Sequence, residues 1–223
     1  MRTVYCISGL GADHRIFAKL NVPGIDFSPL SWMAPSRHED IGTYANRMRE
    51  GVPEDHPVLL GVSFGGMMAI EMAKKIPGAT VIIVSSVSTR SELPLWMRLG
   101  GYLHIDRLSP AAVIKRGAIL TRLENHKLGV ESEEEALLCQ EFRDHIDGRY
   151  LNWAIGVILR WRNEWKPASF YHFHGGKDHI FPIRTVTPTH IIGDGGHFMI
   201  YNRAEEIGRL LGGILAKLSW SML

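Results

Sequence analysis

Cysteine is scarce in this sequence, with only Cys6 and Cys139 among 223 residues. The two lie far apart in the chain, and Cys6 belongs to an apolar segment typical of a buried strand. We therefore expect small core residues rather than a disulfide, as in proteins of a reducing compartment. The sequence also shows no charged leader followed by an apolar stretch and a cleavage site. These features predict a cytoplasmic protein.

An excess of charge of one sign is also lacking. Lys and Arg number 25 against 23 Asp and Glu, a net charge of +2 with the histidines neutral. That balance, without any basic cluster, gives no reason to expect a nucleic-acid or membrane-surface partner. No apolar run is long enough to span a membrane. The 45% of hydrophobic residues suffice for the core of one α/β domain, and the oligomeric state stays open.

Short, almost continuously apolar segments alternate with helical patterns along the chain. Such segments are typical of parallel strands that are covered on both faces. They predict an α/β fold with a mostly parallel sheet of about six strands and helices on both faces. The strands are expected at 3–8, 57–62, 79–85, 169–174 and 188–192, with a weaker one at 26–31. Helices are expected at 40–51, 65–76 and 203–218, and 86–165 has the pattern of several helices without a strong strand.

One motif lies between a predicted strand and a predicted helix: Gly61-Val62-Ser63-Phe64-Gly65. In so tight a turn the central residue takes a strained backbone conformation, and the flanking glycines leave room for it. The strain raises the Ser63 hydroxyl above the sheet, beside the first N–H groups of the next helix. Ser63 is therefore a candidate nucleophile, provided that a base reaches it.

A candidate acid and a candidate base follow later strands. Asp178 comes just after the strand at 169–174, and His197 just after the strand at 188–192. The carboxyl ends of parallel strands meet at one edge of a sheet, so Ser63, Asp178 and His197 can come together there. Asp194, three residues before His197, is the competing candidate for the acid.

These blocks resemble the α/β-hydrolase fold superfamily, in which the triad follows the chain order Ser, Asp, His. The segment from Val4 to Gly11 resembles the family's first oxyanion loop, with Ser8 in place of the usual His. The resemblance implies that the backbone N–H groups of Leu10 and Phe64 form an oxyanion hole. It also implies a core at 1–85 and 166–223 and a helical cap at 86–165.

Aromatic residues of the expected cap are candidates for the substrate pocket, although packing of the cap on the body is the more common explanation for any one of them. The tentative pocket residues are Trp96, Tyr102 and Trp153.

Cofactor and metal sites find little support in the sequence. Gly9, Gly11 and His14 match a dinucleotide fingerprint only partly, because His14 stands where the third glycine belongs. His172 and His174 share one face of a strand, but no acid or cysteine at suitable spacing completes a metal site. We expect no cofactor and no metal.

The leading functional hypothesis is a serine hydrolase that acts on a small carboxylic ester or thioester. Ser63 disfavours the haloalkane dehalogenases and epoxide hydrolases of this fold, which use a carboxylate nucleophile. Two alternatives remain open. One is a lyase that resembles the hydroxynitrile lyases or the menaquinone-pathway synthase, and the other is a small-ligand receptor with a retained triad and slow or no turnover.

Overall fold

A computed structural model describes residues 2–103 and 118–220 of the chain. Residues 104–117, which belong to the expected cap, lie outside the described part. Six strands form one sheet in the order β2-β1-β3-β4-β5-β6, and every neighbouring pair is parallel. Their bounds are β1 Arg2–Ile7, β2 Ile25–Leu30, β3 Val58–Val62, β4 Thr80–Val84, β5 Ser169–Gly175 and β6 His190–Ile192. The predicted parallel sheet of six strands is confirmed, with strand ends displaced by at most two residues.

The central strands are apolar throughout because the sheet is covered on both faces. All five residues of β3 and of β4 are buried. Successive side chains of a strand point to opposite faces, and Leu59 accordingly packs into one hydrophobic cluster while Leu60 packs into the other. The two clusters form the core on either side of the sheet.

Eight α-helices are found in the described part of the chain. They are α1 Ile41–Arg49, α2 Phe64–Ala73, α3 Leu95–Tyr102, α4 Ala118–Leu128, α5 Glu133–His145, α6 Gly148–Arg160, α7 Met199–Asn202 and α8 Ala204–Trp220. Helices α1 and α2 pack on one face of the sheet, and α7 and α8 on the other. None of the described helices is long and apolar enough to cross a membrane.

Helices α3 to α6 stand between β4 and β5, and the two segments that connect them to the sheet are bonded to each other. The Arg90 N–H donates to the Asn163 carbonyl at 2.7 Å, and the Asn163 amide donates to the Ser88 carbonyl at 2.8 Å. Within this helical segment α3 approaches α6 closely, since a Cβ on Gly101 would fall on the backbone of Leu159. The segment thus leaves and rejoins the sheet at one place.

Candidate active site

Ser63 sits in a strained turn between β3 and α2, with φ 53° and ψ −118°. Non-glycine residues rarely adopt a positive φ, so the surroundings must hold this conformation. The Ser63 N–H donates to the Val84 carbonyl at 2.9 Å, and the Ser63 carbonyl accepts from the Ser86 hydroxyl at 2.6 Å. A Cβ on Gly65 would fall on the Ile7 carbonyl oxygen. Glycine is therefore required at position 65 for the turn to lie against β1.

The structure brings Ser63, His197 and Asp178 into one chain of hydrogen bonds. His197 Nε2 lies 2.9 Å from Ser63 Oγ, and His197 Nδ1 lies 2.8 Å from Asp178 Oδ2. A carboxylate only accepts, so Nδ1 carries the proton and Nε2 is free to accept from the Ser63 hydroxyl. Both His197 and Asp178 are buried. This arrangement can take a proton from the serine and hold the resulting positive charge on the imidazole.

The Asp178 carboxylate is fixed by further donors. Its Oδ1 accepts from the N–H groups of Ile180 at 2.8 Å and Phe181 at 2.9 Å. Burial opposes ionisation of this carboxyl, but the charge and hydrogen bond of His197 outweigh it and lower the pKa of Asp178. Asp178 is thus held as the anion that the imidazole needs.

Asp194, the competing acid, lies outside this network. Its side chain is 60% exposed, and its carboxylate pairs with the Arg203 guanidinium at 3.0 Å. The structure therefore places Asp178, and not Asp194, on the histidine.

The loop after β1 and the start of α2 present two free backbone donors beside Ser63. Leu10 stands in a turn that the Ala12 N–H closes by donating to the Gly9 carbonyl at 3.1 Å, and Phe64 is the first residue of α2. Within the described residues, no acceptor is bonded to the N–H of Leu10 or of Phe64. Gly9 lies so near that a Cβ there would be 3.5 Å from Ser63 Cβ. Leu10 and Phe64 are the residues whose N–H groups the family resemblance assigns to an oxyanion hole.

A cavity of about 700 Å³, here called the main cavity, opens above Ser63 and His197. Its size falls within the range of small-molecule sites. The helical segment supplies most of its apolar wall: Met97, Leu128, Phe142, Leu151, Ile155, Ile158 and Leu159. Glu124 and Arg143 are the charged residues of its lining.

Of the three tentative pocket residues, only Trp96 lines the main cavity. The interpretation of Tyr102 was wrong, since its side chain is 81% exposed on the surface of α3. That of Trp153 was also wrong, because this ring stacks on Tyr44 at 4.3 Å and its N–H donates to the Glu39 carbonyl at 2.7 Å. The cavity residues of α6 were missed, although Leu151, Ile155 and Ile158 recur at helical spacing.

The other histidine and glycine candidates have local structural roles. His172 and His174 are fully buried and bonded to each other at 3.1 Å, and His174 Nε2 donates to the Phe181 carbonyl at 2.7 Å. Residues 2–103 and 118–220 contain no group of three His, Cys, Asp or Glu able to hold a metal ion. A Cβ on Gly11 would lie 2.7 Å from the Ile146 side chain, so this glycine makes room for a neighbouring side chain.

Solved structures with the same architecture include several hydrolases. An esterase from Thermogutta terrifontis, solved with malate bound, is 14% identical, with a TM-score of 0.69 over 97% of this chain and 90% of that chain. A putative lipase from Acinetobacter baumannii is 14% identical, with a TM-score of 0.69 over 99% of this chain and 85% of that chain. An epoxide hydrolase from Bacillus megaterium, in complex with an inhibitor, is 11% identical, with a TM-score of 0.71 over 97% of this chain and 94% of that chain.

At these identities the likeness shows a shared fold and no more. No protein-family model matches the sequence, and no curated protein matches it either.

Proposed function

The chain has the α/β-hydrolase fold, and from this premise we propose that it is a serine hydrolase of small carboxylic esters or thioesters. The observation that supports the proposal most directly is the hydrogen-bonded chain from Ser63 through His197 to Asp178. A serine in this position differs from the carboxylate nucleophile of epoxide hydrolases and favours acyl transfer.

In the first half of the reaction, His197 Nε2 takes the Ser63 proton while Oγ attacks the carbonyl carbon. The carbonyl oxygen becomes an oxyanion, which accepts from the N–H groups of Leu10 and Phe64. The tetrahedral intermediate then collapses, the bond to the alcohol or thiol breaks, and His197 returns the proton to that leaving group. The product of this half is an acyl ester on Ser63.

In the second half, water takes the place of the alcohol. His197 removes a proton from the water, whose oxygen attacks the acyl carbon, and the same two N–H groups bind the second oxyanion. Collapse releases the carboxylic acid and gives the proton back to Ser63. Asp178 stabilises the imidazolium in both halves, and each oxyanion donor contributes on the order of 10²–10³ in rate.

The main cavity bears on the substrate class. Its wall is largely apolar where α3 and α6 cover Ser63, so an acyl chain is a better occupant than a highly charged group. We assign this cover to a helical cap at 86–165, placed on a core formed by 1–85 and 166–223. The capacity of about 700 Å³ accommodates a small substrate with an acyl chain of moderate length.

The test is covalent labelling by a fluorophosphonate, read by intact mass. We expect one adduct on the wild type and none on Ser63→Ala, since the reagent needs an activated serine and an oxyanion hole. Enzyme that has not been exposed to the reagent is then assayed with esters and thioesters of graded acyl length. An unlabelled wild type, or a Ser63→Ala variant that still hydrolyses esters, would contradict the proposal.

The same assays separate the alternatives. Many turnovers of an ester support the hydrolase, whereas tight binding with about one turnover supports a receptor. Cleavage of a cyanohydrin without ester hydrolysis supports a lyase.

A further inference from the structure

Trp32, which follows the end of β2, is bonded to the loop that carries Leu10. Its indole N–H donates to Ser8 Oγ at 2.9 Å, and the Ser8 hydroxyl donates to the Ala12 carbonyl at 2.7 Å. Since the Ala12 N–H already binds the Gly9 carbonyl, both backbone groups of Ala12 are held. The turn that presents the Leu10 N–H is thus closed by a chain of bonds that ends on Trp32.

The same indole also contacts the second donor residue. The rings of Trp32 and Phe64 are stacked, with centroids 5.0 Å apart and planes inclined by 6°. Phe64 is buried at the start of α2, so we expect a shift of its ring to shift its free N–H as well. One side chain therefore touches both structures that provide the free N–H groups beside Ser63.

The backbone beside Trp32 is anchored as well. The hydroxyl of the fully buried Tyr44 accepts from the Met33 N–H at 2.7 Å and donates to the Met33 carbonyl at 2.8 Å. The residue next to Trp32 is thereby tied to α1.

Trp32 acts at a distance from the reacting atoms. It lines a second cavity of about 520 Å³, and neither Ser63 nor His197 contributes to the lining of that cavity. The main cavity, in turn, is not lined by Trp32. Trp32 also packs against Tyr44 at 6.1 Å and Tyr150 at 5.4 Å between ring centroids, but its contacts with the two donor structures are those with Ser8 and Phe64.

We propose that Trp32 is a positioning residue that fixes the spacing of the two oxyanion donors, Leu10 and Phe64. The inference rests on the proposed function. Oxyanion stabilisation depends on donors that are already in place when charge develops, and a displacement of a fraction of an ångström weakens it. The substrate in its ground state needs these donors much less. Loosening the donors thus lowers kcat and leaves KM nearly unchanged.

Two variants break the chain of bonds at different points. Trp32→Phe keeps a ring against Phe64 but removes the N–H, and Ser8→Ala removes the hydroxyl that joins Trp32 to Ala12. We expect each to lower kcat on a p-nitrophenyl ester by about 10- to 100-fold, part of the effect of losing a donor, with KM within about twofold. The double variant should be little worse than Ser8→Ala alone, because both changes interrupt one chain.

Trp153→Phe is the matched control. This tryptophan also packs against Phe64, at 6.0 Å between centroids, and also donates its N–H to one acceptor, the Glu39 carbonyl. It has no bond to Ser8. We expect its kcat to stay within about threefold of the wild type, and thermal melting of all variants separates loss of fold from loss of rate.

Three results overturn the inference: equal kcat values for Trp32→Phe and Trp153→Phe, a change confined to KM, or additive losses in the double variant. These results count only if the wild type hydrolyses the ester and Ser63→Ala does not. A wild type without Ser63-dependent hydrolysis overturns the proposed function, and the inference falls with it. If hydrolysis depends on Ser63 but is unchanged in Trp32→Phe and Ser8→Ala, the inference is overturned and the proposed function stands.

Discussion

Asp178 and His197 are joined by a bond of 2.8 Å between Oδ2 and Nδ1, although Asp194 is far nearer to His197 in the chain. We expect Asp178→Asn to lower kcat by about 10⁴-fold, because an amide no longer holds the imidazole in the tautomer that accepts from Ser63. Asp194→Asn is the matched control and should retain most of the activity, since Asp194 is exposed and paired with Arg203. Steady-state kinetics on one ester decide between them. If Asp194→Asn lost activity and Asp178→Asn kept it, Asp194 would be the acid of the triad.

The second prediction concerns the turn at Ser63. Gly65→Ala places a methyl group on the backbone carbonyl oxygens of Ile7, the last residue of β1, and of Ser8, which follows it. We expect a loss of about 3 kcal/mol or more in the free energy of unfolding, with loss of labelling at Ser63. Denaturant unfolding measures the first effect.

Gly213→Ala provides the comparison, because nothing lies within 4 Å of a Cβ at that exposed position of α8. It should be neutral or more stable by about 0.5–1 kcal/mol. Equal stability of the two alanine variants would mean that Gly65 is not packed against β1.

The third prediction is a loss of stability in acid caused by the buried histidine pair. Burial, with the adjoining His174, lowers the pKa of His172 to about 3, and burial lowers the pKa of His174 as well. The folded protein keeps both rings neutral, while the unfolded chain binds protons below about pH 6.5. The stabilisation is therefore complete above pH 6.5 and is lost as the pH falls below that value. For His172 the loss continues toward pH 3, by up to about 1.4 kcal/mol per pH unit, and His174 adds a loss of the same sign.

We expect His172→Gln to show a shallower fall than the wild type between pH 6 and 4, measured by urea unfolding at several pH values. Identical slopes for wild type and His172→Gln would show that His172 takes up its proton equally in both states.

The fourth prediction concerns acyl-chain length. Ile155 lies in the wall of the main cavity, and Ile155→Phe adds bulk there. We expect kcat/KM to fall about tenfold for the longest acyl chain that the wild type accepts and to change little for acetate esters. A series of p-nitrophenyl esters measures the preference. Leu137→Phe, at a position 60% exposed on α5, should keep the wild-type profile, and an unchanged profile for Ile155→Phe would place the acyl chain elsewhere.

The sheet and the Ser63 turn were predictable because each has a local cause. Parallel strands buried on both faces must be apolar along their length, and β3 and β4 are the clearest examples. A turn as tight as that at Ser63 needs glycine beside it. Asp178 and His197 followed from the rule that functional loops come after the carboxyl ends of parallel strands.

The pocket was harder to predict because it depends on the rotation of a helix about its axis. Leu151 and Ile155 face the main cavity, whereas Trp153, roughly half a turn from each, points to Tyr44. The sequence shows which residues of α6 share a face, but not which of its faces lines the main cavity. The link from Trp32 to Ser8 has no local pattern at all, since it joins the ends of two neighbouring strands.

The paired connections at Arg90 and Asn163 bear on how such a protein changes through evolution. A segment whose two ends are tied together at its base is a closed loop, and lengthening a closed loop adds little entropic cost. Helices can then be gained, lost or exchanged beyond that base while the strands beneath keep their register. Descendants of one ancestor can thereby diverge in what they admit above Ser63 and still inherit the same reacting groups.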